Sequence, residues 1–154
     1  MEKETKIVYY VFENYHEEIH KRINYINSGG CGIFAVLLYK ALVNLGLSPK
    51  LMVLTNEAEE MKKRIRNENH DYWGSLVVHT YVYIFGKYMD SEGLFDDPYK
   101  NFGDYRQITE IPVEVMEEWN NNEEIWNDKF NRKHIPVIKK KFDEINEKVL
   151  EKFG

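Results

Sequence analysis

The sequence predicts a single α+β domain, and three observations carry that prediction. A helix apolar over most of its circumference opens at Cys31, a Val- and Tyr-rich run over 75–85 turns back on itself near Gly86, and charged helical patterns flank both. At 154 residues, with 43% hydrophobic and 14% aromatic side chains, the chain can bury a proper core without disulfides or metals as staples. The expected architecture is a central helix carrying the cysteine, packed on a small antiparallel sheet, with further helices at the C-terminal end.

Each element has its own signal. Val8, Phe12, Tyr15, Ile19, Ile23 and Ile26 recur at steps of three and four, which predicts an amphipathic helix over about 5–26 whose other face carries Glu13, Glu17, Glu18, Lys21 and Arg22. Ser28, Gly29 and Gly30 interrupt it. From Ile33 to Leu45 a broad apolar face marks a buried helix, and Gly46 suits its C-terminal cap. Lys50 to Thr55 reads as a short strand, and Met61 with Ile65 as the inner side of a charged, peripheral helix between 56 and 72. Ser75 to Phe85 is the strongest strand signal, and Tyr88 to Glu92 returns as its hairpin partner. The segment after Gly93 reads as an aromatic loop packed over the sheet, and Thr109 to Asn120 as a capped helix. One or two more helices over 121–153 point Ile125, Trp126, Phe130, Ile135, Val137, Ile138, Phe142, Ile145, Val149 and Leu150 inward.

Composition excludes several function classes. A net charge of −5 argues against nucleic acid or an anionic membrane as the main partner, since both demand excess Lys and Arg. No apolar run approaches the roughly 20 residues of a membrane span. The single cysteine and the charged opening Met1 to Lys6, with no apolar signal region, lead us to expect a cytoplasmic protein.

Chemistry converges on Cys31. A thiol in the first turn of a helix meets unpaired backbone N–H groups and the positive end of the helix dipole, and both favour thiolate. Gly29, Gly30 and Gly32 leave the surrounding backbone bare, so a second molecule can approach and amides can point at it. The plain alternative is a small buried hydrophobe beside an ordinary loop. A nucleophilic thiol needs a base and a group that orients the base. His79, inside a predicted strand, is the natural base. A two-residue turn at Phe85-Gly86 or Gly86-Lys87 puts His79, Asp90 and Glu92 on one face of the hairpin. With the first turn Glu92 lies opposite His79 and Asp90 one diagonal step away, about 7–8 Å at backbone level, a gap side chains bridge. Asp90 is the preferred partner and Glu92 the runner-up.

Cys at a helix start, His on a strand and Asp on the next strand is similar to the core of the papain-like and transglutaminase-like cysteine enzymes. The resemblance runs over about 27–93 and rests on Gly30-Cys31-Gly32-Ile33-Phe34-Ala35, a following edge strand, and the His79-to-Asp90 hairpin, each arm two residues shorter than in that group. It implies a Cys31-His79-Asp90 triad hydrolysing or transferring the acyl group of a peptide, protein or small amide substrate, with no cofactor. It also implies an oxyanion site at the Cys31 N–H, to which Asn27, Ser28 or Gly30 would contribute. The chain lacks the glutamine that precedes the cysteine in papain-like enzymes and the aromatic that follows it in transglutaminases.

Two rival readings accompany this one. A non-catalytic protein-binding module, of a kind found on phages and mobile elements, would use the same scaffold and its acidic, aromatic surface. His16-Glu17-Glu18-Ile19-His20 matches the H-E-x-x-H pattern of zinc hydrolases. No third ligand follows at a family spacing, so a solvated helix face is favoured over a metal site. His70 and His134 read as surface histidines. Tyr72, Trp73, Tyr81, Tyr83, Tyr88, Phe95 and Tyr99 are either core or the lining of a substrate groove.

Overall fold

A computed structural model describes residues 2–22, 31–67, 77–90, 93–99, 107–120 and 128–153. In chain order these form α1 (Glu2–Arg22), α2 (Cys31–Asn44), β1 (Lys50–Thr55), α3 (Ala58–Arg66), β2 (Val77–Ile84), β3 (Lys87–Met89), β4 (Leu94–Phe95), β5 (Gln107–Glu110), α4 (Val113–Asn120) and α5 (Asp128–Phe153). The fold is α+β, with an open antiparallel sheet of five strands in the order β4-β3-β2-β1-β5 among the described residues.

Helix α2 is central because its sequence leaves it no polar face. It lies against β1 and β2 on one side and against α4 and α5 on others, while α1 packs on α5. Phe34, Ala35, Val36, Leu38, Ala41 and Leu42 are buried among Leu51 and Val53 of β1, Val82 and Ile84 of β2, and Phe142, Ile145 and Val149 of α5. Gly46 ends α2 in the left-handed region at φ 83°. There its N–H donates to Val43 O (2.9 Å) and that of Leu47 to Leu42 O (3.1 Å), the paired bonds of a Schellman cap. Helix α1 contributes Ile7, Val8, Val11, Phe12 and Tyr15 to the same core. Tyr15 is fully covered, and its hydroxyl donates to Asn146 Oδ1 at 2.7 Å, which satisfies the one polar atom it brings inside.

The hairpin of β2 and β3 closes through Phe85 and Gly86, whose φ values of 52° and 79° belong to the mirror-image turns that suit twisted strands. That turn pairs Ile84 with Lys87, Tyr83 with Tyr88 and Val82 with Met89. Alternation then divides β2. Val82 and Ile84 belong to the core beneath α2, whereas His79, Tyr81 and Tyr83 take the other face. A register shift between Leu54 and Thr55 marks an irregularity close to His79, which pairs with Leu54.

Several elements differ from the sequence reading. Residues 107–110 form a strand and α4 begins only at Val113, because Pro112 disfavours helical backbone in the residue before it. Consequently β1 is interior, with β2 on one side and β5 on the other, where an edge strand was expected. Leu94 and Phe95 add a short strand to β3 within the segment read as a loop. Helix α1 starts at Glu2, three residues earlier than the periodicity marks, whereas α5, one helix containing Pro136, agrees with the one or two helices expected there. Of the inward set on α5, Phe142, Ile145 and Val149 are buried, but Val137 (44%) and Leu150 (58%) are exposed. One residue beyond Val149 turns the side chain by about 100°, and five residues before Phe142 by about 140°, so neither can share the buried stripe.

Candidate functional site

The hairpin register builds the first half of the site. Asp90 leaves β3 one residue beyond the last ladder pair, on the face that carries His79. From one diagonal step away its carboxylate reaches the ring, with His79 Nε2 to Asp90 Oδ2 at 2.6 Å. Both side chains are buried, His79 at 4% exposure and Asp90 at 5%, which removes water as a competitor for the bond. An ionised carboxylate has only acceptors, so Nε2 carries the proton and donates it. In the neutral ring Nδ1 is then the basic nitrogen.

The second carboxylate oxygen is also engaged. Gly93 N–H donates to Asp90 Oδ1 (3.0 Å), while Asp90 N–H donates to Gly93 O (3.1 Å). With one oxygen on the imidazole and the other on the backbone, the carboxylate plane is set from both ends. Tyr81 stands beside the ring, its centroid 4.7 Å from that of His79 and the two planes at 79°. Its hydroxyl donates to Pro98 O at 3.0 Å, and the rings of Tyr88 and Phe95 lie 5.7 and 6.3 Å from it. Lys87 pairs with Asp96, tying β3 to the segment that carries Pro98. Burial lifts the Tyr88 phenol above its ordinary range, with the neighbouring Tyr83, Tyr99 and Asp97 adding to the shift, so it stays a neutral donor.

The candidate nucleophile belongs to a different element, α2. Cys31 is the first residue of that helix, and α2 packs against β2, the strand that carries His79. No acidic residue lies in the first turn to oppose a thiolate. The Cys31 side chain lies outside the described residues, as do Asn27, Ser28, Gly30 and Glu92. The structure thus brings His79 and Asp90 together, while α2 packs on the core face of β2 formed by Val82 and Ile84, the face opposite to the one that carries His79.

The remaining candidates separate. His16 stacks on Phe12 of its own helix, centroids 5.4 Å apart. The side chains of His20 and His134 are outside the described residues, and so are His70, Tyr72 and Trp73. Among the described residues no three His, Cys, Asp or Glu side chains cluster as metal ligands, and no helix is long and apolar enough to cross a membrane. Of the aromatic set, Tyr81 is buried, while Tyr83, Tyr88, Phe95 and Tyr99 are half-buried.

Two contributors escape the sequence reading. Gly93 is one, although the spacing Asp90-x-x-Gly93 is a signal for an aspartate that accepts from the backbone of its own turn. Pro98 is the other, and it acts through a carbonyl that no side-chain pattern advertises. Comparison with protein-family models, curated proteins and solved structures finds no match to this chain.

Proposed function

We propose that this protein is a cysteine-dependent hydrolase or acyltransferase built on a papain-like core, acting on a peptide, isopeptide or amide bond. Cys31 is the nucleophile, His79 the base and later the acid, and Asp90 the residue that orients the imidazole. The observation that carries the reading is the buried His79–Asp90 pair, with Nε2 and Oδ2 2.6 Å apart. A buried histidine bound to a carboxylate through Nε2 presents a basic Nδ1, and a thiol at a helix N-terminus is the acid that fits it.

The chemistry follows from these roles. The thiolate attacks the carbonyl carbon, forming a C–S bond while negative charge moves to the oxygen, where the N–H groups of the helix start can meet it. The C–N bond then breaks, and the proton held on His79 Nδ1 passes to the departing amine. The thioester is resolved by water in hydrolysis, or by a second amine in transfer. Throughout, Asp90 keeps its proton-free carboxylate on Nε2–H and stabilises the imidazolium.

Alkylation of Cys31 by iodoacetamide as a function of pH tests the proposal. The wild-type thiol should react with a half-point well below the ordinary value of about 8.5, and His79→Ala should raise it toward that value. An ordinary half-point in the wild type, indifferent to His79→Ala, overturns the triad and favours the binding-module reading.

A further inference from the structure

We infer that Tyr81 is a positioning residue for His79, holding the plane of the imidazole that Asp90 holds at one point. The inference rests on the reading of His79 as the base and adds to it a residue to which composition and motif assign no such role.

A hydrogen bond at Nε2 fixes where that nitrogen sits, and because the Cβ–Cγ torsion of histidine has a broad well, contacts along the ring help to set its plane. Tyr81 makes such a contact, because a residue two positions further along a strand projects from the same face. Its ring stands across the imidazole at 79° with centroids 4.7 Å apart, and it is itself only 2% exposed. Tyr81 is in turn held at its far end by the bond from its hydroxyl to Pro98 O (3.0 Å), and along its sides by Tyr88 and Phe95. Each of these supports lies on the chain that leaves β2, turns through β3 and continues past β4. The segment that delivers Asp90 to Nε2 therefore also delivers the brace that steadies Tyr81, and the two restraints on the imidazole are assembled together.

The test compares Tyr81→Phe, which keeps the ring and removes the Pro98 bond, with Tyr81→Leu and Tyr81→Met, which replace the ring by a smaller apolar side chain. The first readout is the hydrogen-bonded imidazole N–H proton of His79 in NMR, which reports the His79–Asp90 bond and is independent of catalysis. The second is the pH profile of Cys31 alkylation. Tyr81→Phe should keep a sharp proton signal and a near-wild-type profile. In Tyr81→Leu or Tyr81→Met, whichever unfolds cooperatively, the signal should broaden into exchange with water and neutral-pH alkylation should fall about ten-fold or more. A sharp signal and an unchanged profile in a folded variant without the ring overturn the inference, as does loss of the signal in Tyr81→Phe to the extent seen without the ring. If the signal responds to Tyr81 while alkylation ignores His79→Ala, the brace stands and the catalytic reading falls.

Discussion

Replacing Asp90 by asparagine puts the two-ended grip on its carboxylate to the test. In the native chain Oδ2 accepts from His79 Nε2–H and Oδ1 from Gly93 N–H. Asparagine offers one oxygen and one NH2, so with the native tautomer one of these donors must face another donor. Both contacts survive only if the oxygen stays on Gly93 and the NH2 donates to a deprotonated Nε2, which moves the ring proton to Nδ1. Charge-assisted bonds contribute about 1.5–3 kcal/mol and neutral ones about 0.5–1.5, so each bond weakens by about 1 kcal/mol. Relief from burying a charge offsets part of that, and the net cost of Asp90→Asn should be about 1 kcal/mol. Asp90→Ala leaves both Nε2–H, at a site where His79 is 4% exposed, and Gly93 N–H without their acceptor, and should cost about 2–4 kcal/mol.

Urea unfolding measures the two costs, and long-range nitrogen–proton NMR of the imidazole reports the tautomer. The expected result is a gap of about 1–3 kcal/mol between the variants, an Nδ1–H tautomer in Asp90→Asn, and, on the proposed triad, slower alkylation of Cys31 because Nδ1 is occupied. An Asp90→Asn protein that keeps Nε2–H refutes the reasoning, since the Gly93 bond would then be too weak to dictate the orientation of the side chain. Equal destabilisation by asparagine and alanine would refute it too.

Other consequences follow from particular burials. Among the described residues the Thr80 hydroxyl is buried and finds no partner, so Thr80→Val, which keeps the shape, should stabilise the fold by about 1–3 kcal/mol in urea unfolding. A loss of stability would mean that the hydroxyl is bonded. Phe85 holds φ 52° at 40% exposure, and Phe85→Asn should stabilise the hairpin by up to about 1 kcal/mol, read from the same experiment. Burial lifts the Tyr15 phenol well above its ordinary 10.0, with Asp143 adding to the shift. The unfolded chain therefore loses this proton at a lower pH than the native one, and the stabilisation, complete below pH 10, declines as pH rises further. The slope from this group approaches about 1.4 kcal/mol per pH unit, and Tyr15→Phe should remove it from the alkaline limb of a stability profile. Leu42→Ala, at a fully covered position of α2, should cost about 2–5 kcal/mol in thermal or urea unfolding.

The parts of the fold that were legible in the sequence are those decided by short-range chemistry. Helix α2 could be read because apolar residues surround it and Gly46 closes it, and both are local facts. Strand β5 could not, because Gln107 to Glu110 is a strand only through its pairing with β1, a partner more than fifty residues away. The order of the sheet is a set of such distant choices, which is why β1 was expected at an edge. Helix α5 shows a third case: its pattern marks apolar residues correctly but lists more of them than one stripe can hold, and Val137 and Leu150 are left outside.

The His79–Asp90 contact lies between these extremes. It joins residues eleven apart, yet it was legible because a tight turn converts a local choice into a register. Moving a two-residue turn by one position shifts pairing by two, which preserves the face, so the side shared by His79 and Asp90 survives uncertainty about the turn itself. The choice between neighbouring acids is finer. With the turn at Phe85-Gly86 the ladder brings Asp90 one diagonal step from His79, and a short side chain spans that step with the backbone of Gly93 holding its other oxygen. The same arithmetic bounds what the hairpin can do alone. It presents a buried imidazole on a carboxylate, and the nucleophile of the proposed triad belongs to another element, α2, which opens with the chain's single cysteine and packs on the core face of this strand.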